Sequence, residues 1–242
     1  MRYMEIRRHD GGSNPIRNAG FFPKPKMWWR ELMSRRTPST FLAMLAVFVL
    51  SVAAIPQAEA EETEAVRAPI ERLSEVLLEV MQEARELGYE GRYDRLEPVL
   101  AETFNFPFMT RVAVGRDWAN LSRDEQAHLV ELFSDMSVAN FAARFDGYSG
   151  ETFELLGERP GPREAILVET RLVRPRGTPV GLDYLLREFP DGWQIIDVFL
   201  DSRFSELARQ RAEFAAVLRD RGYAGLVATI ESKIEQLASG TG

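Results

Sequence analysis

The sequence contains no cysteine and only two histidines among its 242 residues. Without a thiol, the chain can form no disulfide, thiolate nucleophile, cysteine-bound zinc site or lipid-modified N-terminal cysteine. The formal net charge of −7 argues against general binding to nucleic acid or to anionic membrane surfaces. These absences disfavour most enzyme classes, and we predict no metal site and no cofactor.

The first 60 residues are predicted to be an N-terminal extension that ends in a cleaved export signal. A basic stretch over 30–36 precedes an apolar run over 41–55, which is shorter than the ~20 residues that span a bilayer. Small residues at 58 and 60 fit a signal-peptidase site, so we expect cleavage near Ala60 and an exported product. Translation could begin at Met1, Met27 or Met33, and the sequence leaves this choice open.

Removal of this leader makes the remaining chain more acidic. Residues 61–242, predicted to form one domain and a monomer, keep 21 basic and 33 acidic residues, a net charge of −12. His128 is their single histidine and Lys233 their single lysine. We therefore expect an acidic protein whose stability depends on its apolar core.

Helical periodicity predominates in the first half of this domain. Apolar residues recur every three or four positions, which is typical of amphipathic helices. Gly88 fits the end of a first helix, and Asn105 fits the cap of a third. Ser122 and Glu125 match the capping box of a fourth. We predict helices over 63–87, 92–103, 106–115 and 123–145.

The periodicity changes to 2 after residue 150, which indicates strands. Their connections are short and rich in turn residues, so neighbouring strands are predicted to be antiparallel. Two more helices, separated at Gly222, follow the strands. The segregation of helices and strands predicts an α+β fold. We predict strands over 152–156, 166–172, 180–187 and 193–200, and helices over 202–221 and 224–237.

One group of polar residues in these strands could perform acid–base chemistry. Asp183 and Asp197 lie on neighbouring strands, and Tyr184 could donate a hydrogen bond beside them. An exported isomerase or dehydratase is therefore one alternative. Strand alternation instead places Asp183 on the face of the sheet opposite to that of Leu182. If that face is exposed to solvent, the more ordinary arrangement is an ion pair with an arginine such as Arg187.

Aromatic residues are concentrated before the strands. Six phenylalanines, one tryptophan and one tyrosine occur between residues 104 and 148. Bulky side chains on helices that face a sheet can fill a core, or they can line a ligand cavity. Composition does not choose between these possibilities.

Several short motifs occur in order and at suitable spacing over roughly 64–237. They are Phe104-Asn105-Phe106-Pro107-Phe108-Met109-Thr110-Arg111, Gly115, Trp118, Leu121-Ser122, Asp183-Tyr184, Gly192-Trp193, Asp197-Val198, Arg211-Ala212-Glu213-Phe214 and Gly222-Tyr223-Ala224-Gly225-Leu226. Together they resemble the toluene-tolerance/MlaC family of periplasmic phospholipid-binding transport proteins. Two further segments, 144–150 and 205–208, are closest to its hopanoid-biosynthesis-associated subgroup.

This resemblance implies a carrier without catalytic residues. The expected fold is a curved antiparallel sheet, resembling nuclear transport factor 2, packed against helices with an apolar ligand cavity between them. The expected ligand is a phospholipid or a hopanoid, moved between the outer and inner membranes. The expected partners are an inner-membrane ABC transporter complex and an outer-membrane lipoprotein complex.

Inward-facing periodicity nominates the side chains that would contact such a ligand. They are apolar or aromatic residues from the predicted helices and strands. We predict ligand contacts from Phe106, Met109, Val112, Trp118, Phe133, Phe141, Leu182, Tyr184, Val198 and Leu200.

Overall fold

The computed structural model of the protein describes the backbone of residues 55–240, with side chains from residue 61 onward. The predicted basic stretch and nearly all of the predicted apolar run lie outside these residues. Within these residues, five α-helices and one 3-10 helix pack with a single sheet. The helices are α1 (Ile55–Gln82), α2 (Ala84–Thr103), α3 (Phe106–Val114), the 3-10 helix (Gly115–Asn120), α4 (Arg123–Arg144) and α5 (Glu206–Ala238).

Helix α1 buries the apolar stripe that its periodicity predicts. Ile70, Leu73 and Leu77 lie along one face and are fully buried. The helix ends at Gln82 rather than at 87, because Glu83 leaves helical geometry. The predicted break at Gly88 is confirmed within α2, where φ is 61° and ψ is −170°, a conformation that favours glycine.

Two predicted helix starts are confirmed by their hydrogen bonds. The Asn105 side chain accepts from the Phe108 N–H at 2.9 Å, and Pro107 lies in the first turn of α3. At α4, the Ser122 hydroxyl accepts from the Glu125 N–H at 3.2 Å. The Glu125 carboxylate accepts from the Ser122 N–H at 2.8 Å, which completes a capping box.

The five strands form one open antiparallel sheet in the order β1-β2-β3-β4-β5. The first strand continues four residues beyond the predicted end at Leu156, through an irregularity between Leu155 and Gly157. The short fifth strand was not predicted. The strands are β1 (Thr152–Pro160), β2 (Ile166–Val173), β3 (Val180–Phe189), β4 (Gly192–Leu200) and β5 (Phe204–Ser205).

The last helix begins four residues later than predicted. Asp201 and Ser202 have positive φ and form the turn between β4 and β5. The predicted break at Gly222 is confirmed, because φ is 66° and ψ is −167° at that position inside α5. The observed order of helices, strands and helix confirms the predicted α+β class.

Both faces of the sheet carry apolar clusters. The main core lies between one face and the helices, and includes Val168, Tyr184 and Ile195. On the other face, Leu167 and Leu185 pack in a smaller cluster against partly buried phenylalanines such as Phe108, Phe189 and Phe199.

Candidate functional site

A cavity of about 910 Å³ lies between the sheet and the helices. Its wall takes residues from the junction of α1 and α2, the end of α4, strands β2, β3 and β4, and the first turn of α5. Apolar and aromatic side chains line much of the cavity, together with polar residues such as Ser137, Asn140 and Gln210. The apolar and aromatic residues are Met81, Phe104, Met109, Phe141, Phe145, Leu172, Val180, Leu182, Tyr184, Val198, Leu200 and Leu207.

The sheet side of the cavity follows from strand alternation. Val180, Leu182 and Tyr184 are every second residue of β3 and therefore share one face. Leu182 lies opposite Leu200 of β4, and Tyr184 lies opposite Val198. These two cross-strand pairs make a continuous apolar surface two strands wide.

The helix side is built from stacked and edge-on aromatic rings. The Phe104 ring meets the Phe141 ring edge-on, with centroids 5.8 Å apart. The Phe141 ring in turn stacks on Phe145 at 5.8 Å. This row extends from the end of α2 to the end of α4 along the cavity wall.

Asn105 positions this aromatic row against the sheet. Its N–H donates to the Ile195 carbonyl at 2.9 Å, and its side-chain amide donates to Gln194 at 2.8 Å. The same side chain caps α3. Asn105 therefore ties β4 to the segment that carries Phe104 and Met109.

Tyr184 places a polar group on the sheet side of the cavity wall. Its side chain is 1% exposed, and its hydroxyl has no hydrogen-bond partner within the part of the chain that the structure describes. Burial, with a smaller contribution from the neighbouring Asp183, raises the pKa of its phenol, so the hydroxyl stays protonated at neutral pH. It can donate one hydrogen bond inside the cavity.

The two carboxylates of the acid–base hypothesis do not line the cavity. Asp183 is 2% exposed and accepts from the Thr170 N–H at 3.3 Å. The expectation that it pairs with Arg187 at the solvent side is therefore wrong. The physical reason is that the second face of the sheet is covered by its own apolar cluster.

Asp197 has a structural role at the start of α5. Its carboxylate accepts from the Val198 N–H at 2.8 Å, the Ser205 hydroxyl at 2.5 Å and the Leu207 N–H at 3.1 Å. Burial raises the pKa of Asp197, and these hydrogen bonds oppose that shift. Tyr184 faces the cavity while Asp183 and Asp197 project to the opposite side, so the three do not form a common site.

Six of the ten predicted contact residues lie in the cavity wall: Met109, Phe141, Leu182, Tyr184, Val198 and Leu200. The other four lie elsewhere. Phe106 and Phe133 pack edge-on in the core at 6.3 Å, and Val112 and Trp118 are partly buried against it. Helical periodicity identifies an inward face without distinguishing a filled core from a cavity wall.

Sequence reasoning missed several wall residues. Val180 belongs to the same alternating series as Leu182 and Tyr184, so the signal that would have found it was present. Phe145 and Leu207 lie at helix ends, where periodicity gives no direction. Their place in the wall depends on long-range packing.

Among the residues that the structure describes, no group of three or more acidic or histidine side chains could hold a metal ion. The same residues include no helix that is both long enough and apolar enough to cross a membrane.

An open sheet with helices on one face and an apolar cavity between them defines a binding protein of the α+β class. A family model described as MlaC protein matches residues 71–232, more than half of the chain. The chain therefore belongs to the MlaC family. Membership indicates a binding or transport protein rather than an enzyme.

The fold is similar to the solved structure of a phospholipid-binding protein from Ralstonia solanacearum in complex with a phospholipid. The TM-score is 0.64 at 20% sequence identity, over 72% of this chain and 98% of that chain. At this identity the similarity establishes the fold. A search of curated proteins found no match to this chain.

Proposed function

We propose that the protein is an exported carrier that moves a lipid between the outer and inner membranes. Residues 1–60 would serve as the N-terminal extension and signal, with cleavage near Ala60, and residues 61–242 would be the periplasmic lipid-binding domain. The cargo would be a phospholipid or a hopanoid-type lipid. An inner-membrane ABC transporter and an outer-membrane lipoprotein complex would be its partners.

The apolar cavity is the observation that carries this proposal. Its 910 Å³ falls in the upper part of the ~300–1,000 Å³ range of small-molecule sites. Each buried methylene contributes about 0.8 kcal/mol, so two chains of ~16 carbons give a gross ~25 kcal/mol. Burial on this scale would offset the cost of removing the same chains from the apolar interior of a membrane.

Release requires that the lipid be incompletely held. Exposed residues such as Arg85, Asp146 and Tyr148 lie at the edge of the cavity, which leaves part of a bound lipid in contact with solvent. Flexible Met81 and Met109 can adapt to different acyl chains. Both features suit a carrier that must exchange its cargo.

The family and the fold add independent support. The MlaC model covers most of the described domain, and the solved structure of similar fold is that of a phospholipid-binding protein. No observation favours the acid–base enzyme, since Asp183 and Asp197 lie outside the cavity wall among the described residues.

A matched pair of tryptophan variants tests the cavity directly. Leu200→Trp places a large ring in the wall, whereas Leu156→Trp changes an exposed leucine of the same sheet that is outside the wall. Protein purified from its native host should contain co-purifying lipid by mass spectrometry after denaturation. We expect Leu200→Trp to lower this lipid content at least severalfold and Leu156→Trp to leave it unchanged.

Two results would contradict the carrier proposal. One is wild-type protein that contains no lipid and takes up none from vesicles. The other is equal lipid content in both variants with circular dichroism that matches the wild type.

A further inference from the structure

The edge of the cavity carries charges of both signs. We define the rim as the exposed or half-exposed charged residues of the cavity wall. Three are basic and four are acidic. They are Arg85, Arg144, Arg174, Glu86, Asp146, Glu151 and Glu206.

Two of the rim acids already have partners. The Glu206 carboxylate pairs with Arg209 at 2.9 Å, and Glu151 accepts from the Ser149 N–H at 2.5 Å. Within the part of the chain that the structure describes, the side-chain carboxylates of Glu86 and Asp146 have neither an ion pair nor a hydrogen bond. These two acids are therefore available to a ligand.

The rim arginines are available in the same sense. Arg85 and Arg144 form no ion pair among the described residues, and Arg174 donates to the Thr178 carbonyl at 2.7 Å. A single acceptor leaves most of the Arg174 guanidinium donors unused. The lining of one cavity thus includes three arginines, from two helices and one strand connection.

Two parts of the wall carry charges of both signs. Arg85 and Glu86 are adjacent at the start of α2, and Asp146 lies two residues after Arg144, the last residue of α4. Neither of these neighbouring pairs forms an ion pair among the described residues, so the neighbours do not neutralise one another. The rim therefore carries charges of both signs and is not a basic patch.

We propose that the rim selects a zwitterionic phospholipid headgroup, an inference that rests on the proposed lipid-carrier function. The phosphodiester would bind the guanidinium groups of Arg85, Arg144 and Arg174, which match its geometry in a bidentate manner. The cationic amine would lie against Glu86 and Asp146. The acyl chains would occupy the apolar interior.

The free acids supply the discriminating element. An anionic headgroup without an amine would satisfy the arginines but leave Glu86 and Asp146 facing a negative ligand. An uncharged polycyclic lipid would leave all five free charges without a partner. The rim therefore favours phosphatidylethanolamine over phosphatidylglycerol, and both over a hopanoid alcohol.

The test uses delipidated protein lacking residues 1–60 and equimolar vesicles of phosphatidylethanolamine and phosphatidylglycerol. Native mass spectrometry gives the ratio of the two lipids bound. We expect wild-type protein to be enriched roughly threefold in phosphatidylethanolamine, the size expected for exposed charge contacts. Separate vesicles that contain diplopterol should load it more weakly.

Matched variants assign the selection to individual charges. Glu86→Gln combined with Asp146→Asn should abolish the preference by admitting phosphatidylglycerol. Arg85→Gln combined with Arg144→Gln should lower loading of both phospholipids. The controls are Glu90→Gln and Arg176→Gln, exposed residues close to the rim in sequence but outside the cavity wall, and they should behave as wild type.

The outcomes separate this inference from the function on which it rests. Loading of both phospholipids at a ratio that the acid variants do not change would overturn the inference alone. Diplopterol loading equal to that of phosphatidylethanolamine would do the same. Failure to load lipid from any vesicle would overturn the carrier function itself.

Discussion

Asp197 joins the fourth strand to the last helix through one carboxylate. It accepts from two backbone N–H groups and one hydroxyl, and one of these donors is the N–H of the wall residue Leu207. The side chain itself lies on the sheet face away from the cavity. Its effect on the site is therefore indirect, through the position of the first turn of α5.

Replacement of Asp197 should separate the contributions of hydrogen bonding and charge. Asp197→Ala leaves buried donors without an acceptor and should lower the free energy of unfolding by about 2 kcal/mol. Asp197→Asn keeps an acceptor oxygen and should lower it by less than about 1 kcal/mol at pH 7. Urea unfolding followed by circular dichroism measures both values. Equal losses for the two variants would contradict this assignment.

The difference in stability between the wild type and Asp197→Asn should change with pH in a defined direction. Burial raises the pKa of Asp197 in the folded protein above its unfolded value of about 3.9. The protonated Asp197 side chain therefore stabilises the folded protein. This contribution is complete below the pKa of the unfolded state and is lost as the pH rises through the pKa of the folded state. The stability of Asp197→Asn relative to wild type should therefore increase with pH across this window, and a constant difference would be inconsistent with the shift.

For Asp183, the sequence predicts the face of the sheet but not the surroundings of the side chain. Alternation correctly places it on the face opposite Leu182, but alternation does not reveal what covers that face. Phe108 from α3 and Phe199 from β4 contribute to the cover. Since the cover is assembled from distant parts of the chain, its existence depends on tertiary packing rather than on local pattern.

At the scale of secondary-structure elements, the helix cap and the helix breaks that depend on adjacent residues were predicted. The full extent of a strand, which depends on pairing with a distant segment, was not. The Ser122 capping box and the glycine breaks at Gly88 and Gly222 depend on a few adjacent residues, and all three are confirmed. The extension of β1 beyond Leu156 was missed because 157–160 contains glycine and proline, which are typical of turns. Pairing with β2 holds that segment in the sheet.

The break inside α5 provides a prediction for this scale. Gly222→Ala forces a Cβ into a left-handed conformation with φ of 66° and should lower the free energy of unfolding by about 1 kcal/mol or more. Gly147→Ala is the matched control, since an added Cβ there meets nothing within 4 Å and φ is not positive. Thermal unfolding of both variants gives the comparison. A Gly222→Ala variant as stable as the control would show that the break is not required.

At the scale of the whole molecule, charge governs contact with membranes. Residues 61–242 carry a net charge of −12, so an anionic bilayer repels the protein as a body. Under the proposed carrier function, delivery of cargo would then depend on dedicated partners rather than on adsorption to lipid. This long-range repulsion is compatible with a cavity rim that carries charges of both signs. The rim charges would act at short range on a lipid headgroup.

This repulsion can be measured by sedimentation with vesicles. Protein lacking residues 1–60 should remain in the supernatant with phosphatidylglycerol vesicles at ~0.01 M salt, where the Debye length is about 30 Å. Phosphatidylcholine vesicles at the same salt concentration serve as the uncharged reference. Pelleting with phosphatidylglycerol that added salt reverses would indicate an attractive surface and contradict the prediction.

The irregular first strand has a consequence for the tendency of the protein to associate with copies of itself. An open sheet edge can recruit another chain and begin polymerisation. In β1, the shift between Leu155 and Gly157 interrupts the edge, and Glu158 is engaged by Arg67 at 2.8 Å. The edge is thereby unsuited to templating a neighbour, which protects the protein from filament growth at high concentration.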